Sequence, residues 1–335
     1  MREKNTETGG RAAAFARNRG LEDLLAEVNA SLWESEQKLL HYPGVLGFHT
    51  IFIMGPMRSG TTLFMQWLAN TGVVAYPTNL LSRFYRAPII GAKIQLLLTD
   101  PRYSFRDELS EFSQTVPFSS ENGKTIGAMS PNEFWYFWRR FLADPLRDVW
   151  SDDELRSSFD ATTMLAELAG LMDVFQKPFA AKGILFNYNI PYLDSVFDKA
   201  LFIHLKRDHV SNVASVLNAR NRQFGNDSTW YSFKIPEYPA LAKLDPVNQV
   251  AGQIHYIQQA ISQGLENVDA SRKIVVGYED FCANPRRIFE EISEKILIKN
   301  NKYSGPERFN ATSTMNISNR DDIEKAVARF YEDSE

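Results

Sequence analysis

"TIFIMGPMRSGTT", residues 50–62, decides the fold. Its first five residues are β-branched or apolar with no polar alternation, which predicts a strand buried on both faces, as in parallel sheets. A turn containing Gly55, Pro56, Ser59 and Gly60 follows, and "TTLFMQWLANTG" (61–72) then reads as a helix stopped by Gly72. Strand, glycine-rich turn and helix in that order make a phosphate-binding loop: the N–H groups of the turn point inward and the helix dipole adds partial positive charge. The Walker A spacing, G-x-x-x-x-G-K-[ST], is kept by Gly55, Gly60 and Thr62, but Thr61 stands where lysine is expected. A different cation, Arg58, sits inside the loop. Such a loop suits a phosphate-like group and poorly suits magnesium-triphosphate chemistry, which uses the lysine on the β- and γ-phosphates.

The rest of the chain supplies the elements that such a loop needs. "KPFAAKG" (177–183), "KALFIHLKRD" (199–208) and "RKIVVGYED" (272–280) are the other strand candidates. Helical patterns cover 21–40, where Leu21, Leu24, Leu25, Val28 and Leu32 fall on one side, and also "HVSNVASVLNARNRQ", 247–268 and 285–297. Alternating strands and helices predict an α/β fold with a central parallel sheet flanked by helices. Residues 1–19 are read as a mobile N-terminal tail and 20–335 as a single domain with a mostly helical substrate-side insertion at about 78–175.

Composition excludes several function classes. With 37 basic against 41 acidic residues the formal charge is −4, which leaves no electrostatic footprint for nucleic acid or an anionic membrane. A single cysteine, Cys282, excludes an intrachain disulfide framework and a thiolate zinc cluster. No window approaches 18 uninterrupted apolar residues, so no membrane span is expected. The polar start "MREKNTETGG" lacks the apolar core of a signal peptide, and a cytoplasmic location is the expectation. The sequons at Asn29, Asn226, Asn310 and Asn316 are accordingly read as chance.

A second motif points to a particular ligand. "FIHLKRDHVSNVASVL" (202–217) ends a strand with Arg207 and Asp208, and Ser215 lies eight residues beyond Arg207, about two turns into the following helix. Arg207 can fork onto a phosphate and Ser215 can donate beside it. Two phosphate sites at two strand ends fit a ligand phosphorylated at two positions.

These motifs resemble those of the PAPS-dependent sulfotransferases, whose 5′-phosphosulfate loop reads like P-[KR]-S-G-T-[ST]. Pro56, Arg58, Ser59, Gly60, Thr61 and Thr62 match it, with Met57 between. The family's R-[DN]-P with a later helical Ser is matched by Arg207, Asp208 and Ser215, with His209 in place of Pro, and "VVGYEDFCANP" (275–285) resembles its strand-end Y-E-D. The resemblance covers about residues 50–297 and implies a P-loop NTPase-like sulfotransferase fold. It also implies that Arg58, Ser59, Gly60, Thr61 and Thr62 hold the 5′-phosphosulfate, that Arg207 and Ser215 hold the 3′-phosphate, and that Tyr278 reaches the nucleotide. The Arg-containing loop looks more like bacterial, tyrosylprotein and some carbohydrate enzymes than the small-phenol ones. The family's C-terminal basic stretch has no clear match in 301–320, where Arg308 and Arg320 are the weak candidates.

The implied reaction moves a sulfuryl group from PAPS to an acceptor hydroxyl of a carbohydrate, small molecule or lipid-like compound, giving PAP and a sulfate ester without a metal. The acceptor must lose its proton to a positioned base. Glu133, heading the aromatic run Phe134, Trp135, Tyr136, Phe137 and Trp138, is the first candidate, because desolvation by those rings would raise its proton affinity. Glu121, in the polar turn "FSSENGKTIG", is the second. Asn79 occupies the acidic position used by tyrosylprotein-type relatives. Lys182, ending its strand, falls where the family's lysine faces the transferred group and would stabilise developing charge. His41, His49, His204, His209 and His255 are read as packing or surface residues. A P-loop-like kinase or NTPase and a non-catalytic PAP-binding module are the alternatives, and a homo-oligomer is a possible assembly.

Overall fold

The computed structural model describes residues 6–7, 12, 16–106, 108–109, 112, 116–121, 123–298, 302–311 and 319–331. Most of the expected tail, the Asn316 sequon and the middle of the 301–320 stretch lie outside the described residues. A short antiparallel pairing of β1 (Thr6–Glu7) with β2 (Arg17–Asn18) leads into helix α1 (Arg19–Gln37). The central sheet has the order β6-β3-β7-β8, formed by β3 (Thr50–Met54), β6 (Phe179–Lys182), β7 (Ala200–Lys206) and β8 (Lys273–Gly277), with every pairing parallel. A two-residue hairpin, β4 (Ser120–Glu121) with β5 (Lys124–Thr125), stands apart from it. The α/β class and the parallel sheet read from the sequence are those observed.

Alternation along β3 and β7 builds two cores. Phe52, Met54 and Phe202 face one layer, and Ile51, Ile53, Leu201, Ile203 and Leu205 face the other. The second layer is closed by α2 (Thr61–Asn70) and α12 (Pro285–Lys295), which contribute Phe64, Trp67, Ile288 and Ile292. On the first layer the Phe52 ring stacks on Phe202 with centroids 5.7 Å apart and meets Phe197 edge-on at 5.0 Å. That layer also takes α6 (Ala161–Phe175), α7 (Ile190–Val196), α8 (His209–Phe224), α10 (Pro246–Gly264) and the last helix, α13 (Arg320–Tyr331).

The apolar side of α1 is the main departure from the helical pattern. Its buried residues are Asn29 and Glu36, whereas Leu24 is 57% exposed and Leu21 36% exposed. The polar pair is buried because it completes neighbouring backbone. Asn29 donates to the Arg83 carbonyl at 2.7 Å and accepts from the Arg86 N–H at 2.8 Å, and Glu36 accepts from the Ile89 and Ile90 N–H groups at the head of α3 (Pro88–Thr99). A carboxylate at a helix N-terminus is favoured by the dipole.

Parallel register aligns the functional ends of the strands. Met54 pairs with His204, Ile53 with Lys182, and Lys206 with Gly277, so the four carboxyl ends form one edge of the sheet. In such sheets ligands bind outside the carboxyl ends of the strands.

His204 is buried in mid-strand with Nε2 2.5 Å from Gln258 Oε1, and burial pushes its pKa down from 6.5 to about 4. Below pH 6.5 the unfolded chain binds a proton here that the folded chain refuses until about pH 4, so stability declines across that window. Urea unfolding of the wild type is expected to lose up to about 3 kcal/mol through this residue over that range, and His204→Leu is expected to flatten the decline.

Candidate active site

A cavity of about 700 Å³ opens at the carboxyl edge of the sheet, lined by Arg58, Gly60, Thr61 and Thr62 of the loop, by Lys182, Arg207 and Tyr278 from the other three strand ends, and by Ser215 of α8. The loop that wraps it is tied down from behind. Asn187 donates to the Gly55 carbonyl at 3.0 Å and accepts from its N–H at 3.3 Å, and Asn212 donates to the Met57 carbonyl at 2.9 Å. Arg58 takes a positive φ of 63°, in the sparsely populated left-handed region, and Gly60 takes φ 98°. A Cβ on Gly60 would lie 2.2 Å from the Tyr278 ring, so glycine is required there for contact as well as for conformation. Of the loop residues expected to hold the 5′-phosphosulfate, Ser59 alone does not face the cavity: it is fully buried against Gly55.

The cations are knitted together. Arg207 donates from Nη1 to the Arg58 carbonyl at 2.8 Å, its guanidinium lies 5.0 Å over the Tyr278 ring, and its buried Nε has no hydrogen-bond partner among the described residues. Arg58 Nε donates to Ser215 Oγ at 3.3 Å. Burial holds the Arg58 pKa below its ordinary value; Tyr231 opposes this, and the neighbouring Arg207 and Arg222 add to it. A bound anion would relieve that cost.

Lys182 joins the loop to the first base candidate. Its ammonium donates to Thr62 Oγ1 at 2.7 Å and pairs with Glu133 Oε1 at 3.2 Å. The other Glu133 oxygen, Oε2, accepts from the Trp135 indole at 2.5 Å. Glu133 therefore sits among polar partners rather than beneath the aromatic run. Phe134, Phe137 and Trp138 turn into the core, and helix α4 begins only at Trp135 (Trp135–Arg139), after Phe134 in left-handed conformation. Glu121 is exposed on the hairpin and does not line the cavity. The hairpin nevertheless lies over the loop, since a Cβ on Gly123 would be 3.5 Å from Thr62 Oγ1. Asn79 holds its base, donating to Thr125 Oγ1 at 3.1 Å and to the Gly127 carbonyl at 2.9 Å.

Sequence reasoning missed two cations of the lining, Lys124 and Arg222. Arg222 had a signal: Ser211, Ser215, Asn218 and Arg222 recur at steps of four, three and four residues, one face of α8, and all four line the cavity. Lys124 had none, because a hairpin folding back over a distant loop leaves no periodicity. Arg308 and Arg320 are exposed and outside the lining; Arg320 pairs with Glu324 at 2.7 Å. Asn319 and Ile323, at the head of α13, reach the cavity instead. His209 is the first residue of α8, where proline is also at home; its ring stacks on Tyr331 at 4.0 Å.

The model of the sulfotransferase family matches residues 50–299, and the chain belongs to that family. Among solved structures it is similar to the sulfotransferase STF9 from Mycobacterium avium, with TM-score 0.50, 15% identity, and coverage of 87% of this chain and 73% of that one. It is also similar to STF1 from Mycobacterium tuberculosis H37Rv, with TM-score 0.53, 13% identity, and coverage of 90% and 81%. At these identities the likeness concerns the fold. No curated protein matches the chain by sequence. No helix among the described residues is long and apolar enough to cross a membrane.

Gly60→Ala should destabilise the protein by about 1–3 kcal/mol more than Gly225→Ala, measured by urea unfolding. Gly225 shares a positive φ, 73°, but a Cβ there meets nothing within 4 Å. The difference therefore isolates the collision with Tyr278.

Proposed function

We propose that the chain transfers a sulfuryl group from PAPS to an acceptor hydroxyl, with PAP and a sulfate ester as products. The observation that carries this reading is the Lys182 ammonium, shared between Thr62 of the loop and Glu133. It sets a carboxylate beside a phosphate-type cradle, the arrangement that proton removal and group transfer require together.

Among the described residues five cationic side chains line the cavity, Arg58, Lys124, Lys182, Arg207 and Arg222, against two carboxylates, Glu133 and Asp227. That excess, with the buried Nε of Arg207 unpartnered among the described residues, fits a polyanion. Gly60, Thr61, Thr62 and Arg58 would hold the 5′-phosphosulfate, with Ser59 shaping the loop from behind. Arg207 and Ser215 would hold the 3′-phosphate, and Tyr278 would border the nucleotide. In the transfer, the acceptor oxygen forms its bond to sulfur as the bond from sulfur to the 5′-phosphate oxygen breaks. The acceptor proton passes to Glu133, and PAP leaves. Arg58 and Lys182 stabilise the charge that develops on the sulfuryl oxygens and the leaving phosphate. Positioning does the rest, as in phosphoryl transfer. The acceptor is a carbohydrate, small molecule or lipid-like alcohol, and a cytoplasmic, single-domain enzyme remains our reading.

Arg58→Ala and Arg207→Ala are each expected to weaken PAP binding at least about tenfold by calorimetry, as loss of a charge-assisted contact implies. Glu133→Gln is expected to leave PAP affinity unchanged and to lower turnover of labelled PAPS by about 10²–10⁴-fold. Full activity in Glu133→Gln would remove the base assignment. Stabilisation by magnesium-ATP but not by PAP would favour a kinase or NTPase, and PAP binding without transfer to any acceptor would favour a non-catalytic module.

A further inference from the structure

A second groove, of about 650 Å³, lies beyond the wall of the first cavity, between the start of α1, the base of the hairpin and the head of α4. Its volume falls within the range of small-molecule sites, roughly 300–1,000 Å³. Leu21 and Leu25 of α1, Leu80, Trp135 and Tyr136 supply its apolar surface. These leucines belong to the stripe whose pattern predicts a core-facing helix, yet Leu21 is 36% exposed and Leu25 is only partly buried. Tyr136 is half exposed, its ring 5.3 Å from that of Tyr85.

The polar groups of the lining are largely committed to the protein. Asn18 Oδ1 accepts from the Leu21 N–H, and Ser82 Oγ donates to the Thr78 carbonyl. Asn132 donates to Asn79 Oδ1 at 2.9 Å and accepts from the Phe134 N–H, while Asn79 and Thr125 bond each other and the loop backbone. Glu22 pairs with Arg17 at 3.0 Å. What the groove offers a ligand is therefore mainly apolar area, beside the exposed side chain of Arg83.

Trp135 borders both spaces, the one residue to do so among those described, and its indole N–H holds Glu133. Groove and catalytic cavity are thus neighbours, with the single Trp135 ring as the wall between them. We infer that the groove receives the apolar body of the acceptor, an alkyl or aryl alcohol whose hydroxyl passes Trp135 to Glu133. This rests on the sulfotransferase reading and narrows its acceptor class: a sugar without an apolar substituent would leave the leucines uncovered.

The test is binding of octan-1-ol and of ethanol, by calorimetry, to the full chain with and without saturating PAP. Each buried methylene contributes roughly a fourfold gain in affinity, so octan-1-ol should bind at least about a hundredfold more tightly than ethanol. Leu25→Glu should abolish the difference. Leu24→Glu, on the same helix but outside the groove, should leave it intact and controls for loss of α1. With labelled PAPS, Leu25→Glu should raise KM for octan-1-ol at least tenfold with kcat and PAP affinity unchanged. Equal affinity for the two alcohols, or octanol binding that survives Leu25→Glu, would overturn the inference. Failure of PAP to bind would count against the donor reading alone, because the alcohol titration without PAP stands independently.

Discussion

The site depends on a buried ammonium. The Lys182 side chain is 4% exposed, and a charge taken out of water at that depth must be paired or it destabilises the fold. Its partners come from far along the chain: Thr62 is 120 residues away and Glu133 is 49. Satisfying one lysine therefore draws together the end of β6, the phosphate-type loop and the segment before α4. The parallel register, with Ile53 opposite Lys182, sets the height at which this happens. Trp135 then fixes the free oxygen of Glu133, and Phe233 packs on Trp135 with ring centroids 5.1 Å apart, so the constraint reaches the loop after α8.

Local charge runs against the charge of the whole. The chain is net acidic at −4, yet among the described residues the cavity gathers five cations and two carboxylates. Concave, low-dielectric walls focus such a field. Arg58 and Arg207 cannot relax away from each other, because Arg207 is bonded to the Arg58 carbonyl and Asn212 holds the preceding residue. Charge crowding is thus maintained by backbone hydrogen bonds, and the left-handed Arg58 is kept in place by the same anchors.

Much of the fold was legible because it obeys short-range rules. β3 reads as buried on both faces and is so, and Gly60 marks a turn that only glycine fits. A strand end marked Arg207, and the family resemblance marked Lys182 and Tyr278; all three border one cavity. The misreadings arose where tertiary contacts decide. The apolar stripe of α1 suggested a core face, but Asn29 and Glu36 were drawn inward by unpaired backbone groups on neighbouring segments. Glu133 was read as desolvated by the rings after it, whereas past the left-handed Phe134 the rings of Phe134, Phe137 and Trp138 enter the core and Trp135 meets Glu133 through its indole N–H. Glu121 and Lys124 lie three residues apart on one hairpin, and only its folding over the loop determines which of them lines the cavity.

The last helix carries a consequence for biosynthesis. α13 lends Asn319 and Ile323 to the cavity and packs Tyr331 against His209 and His255, on α8 and α10. Every strand of the sheet precedes it in the chain, so a growing polypeptide has its sheet available before this wall exists. Chains fold from the N-terminal end as they are made. A nascent chain can therefore form its phosphate-type loop before α13 is made, and this side of the cavity closes only once α13 has emerged from the ribosome.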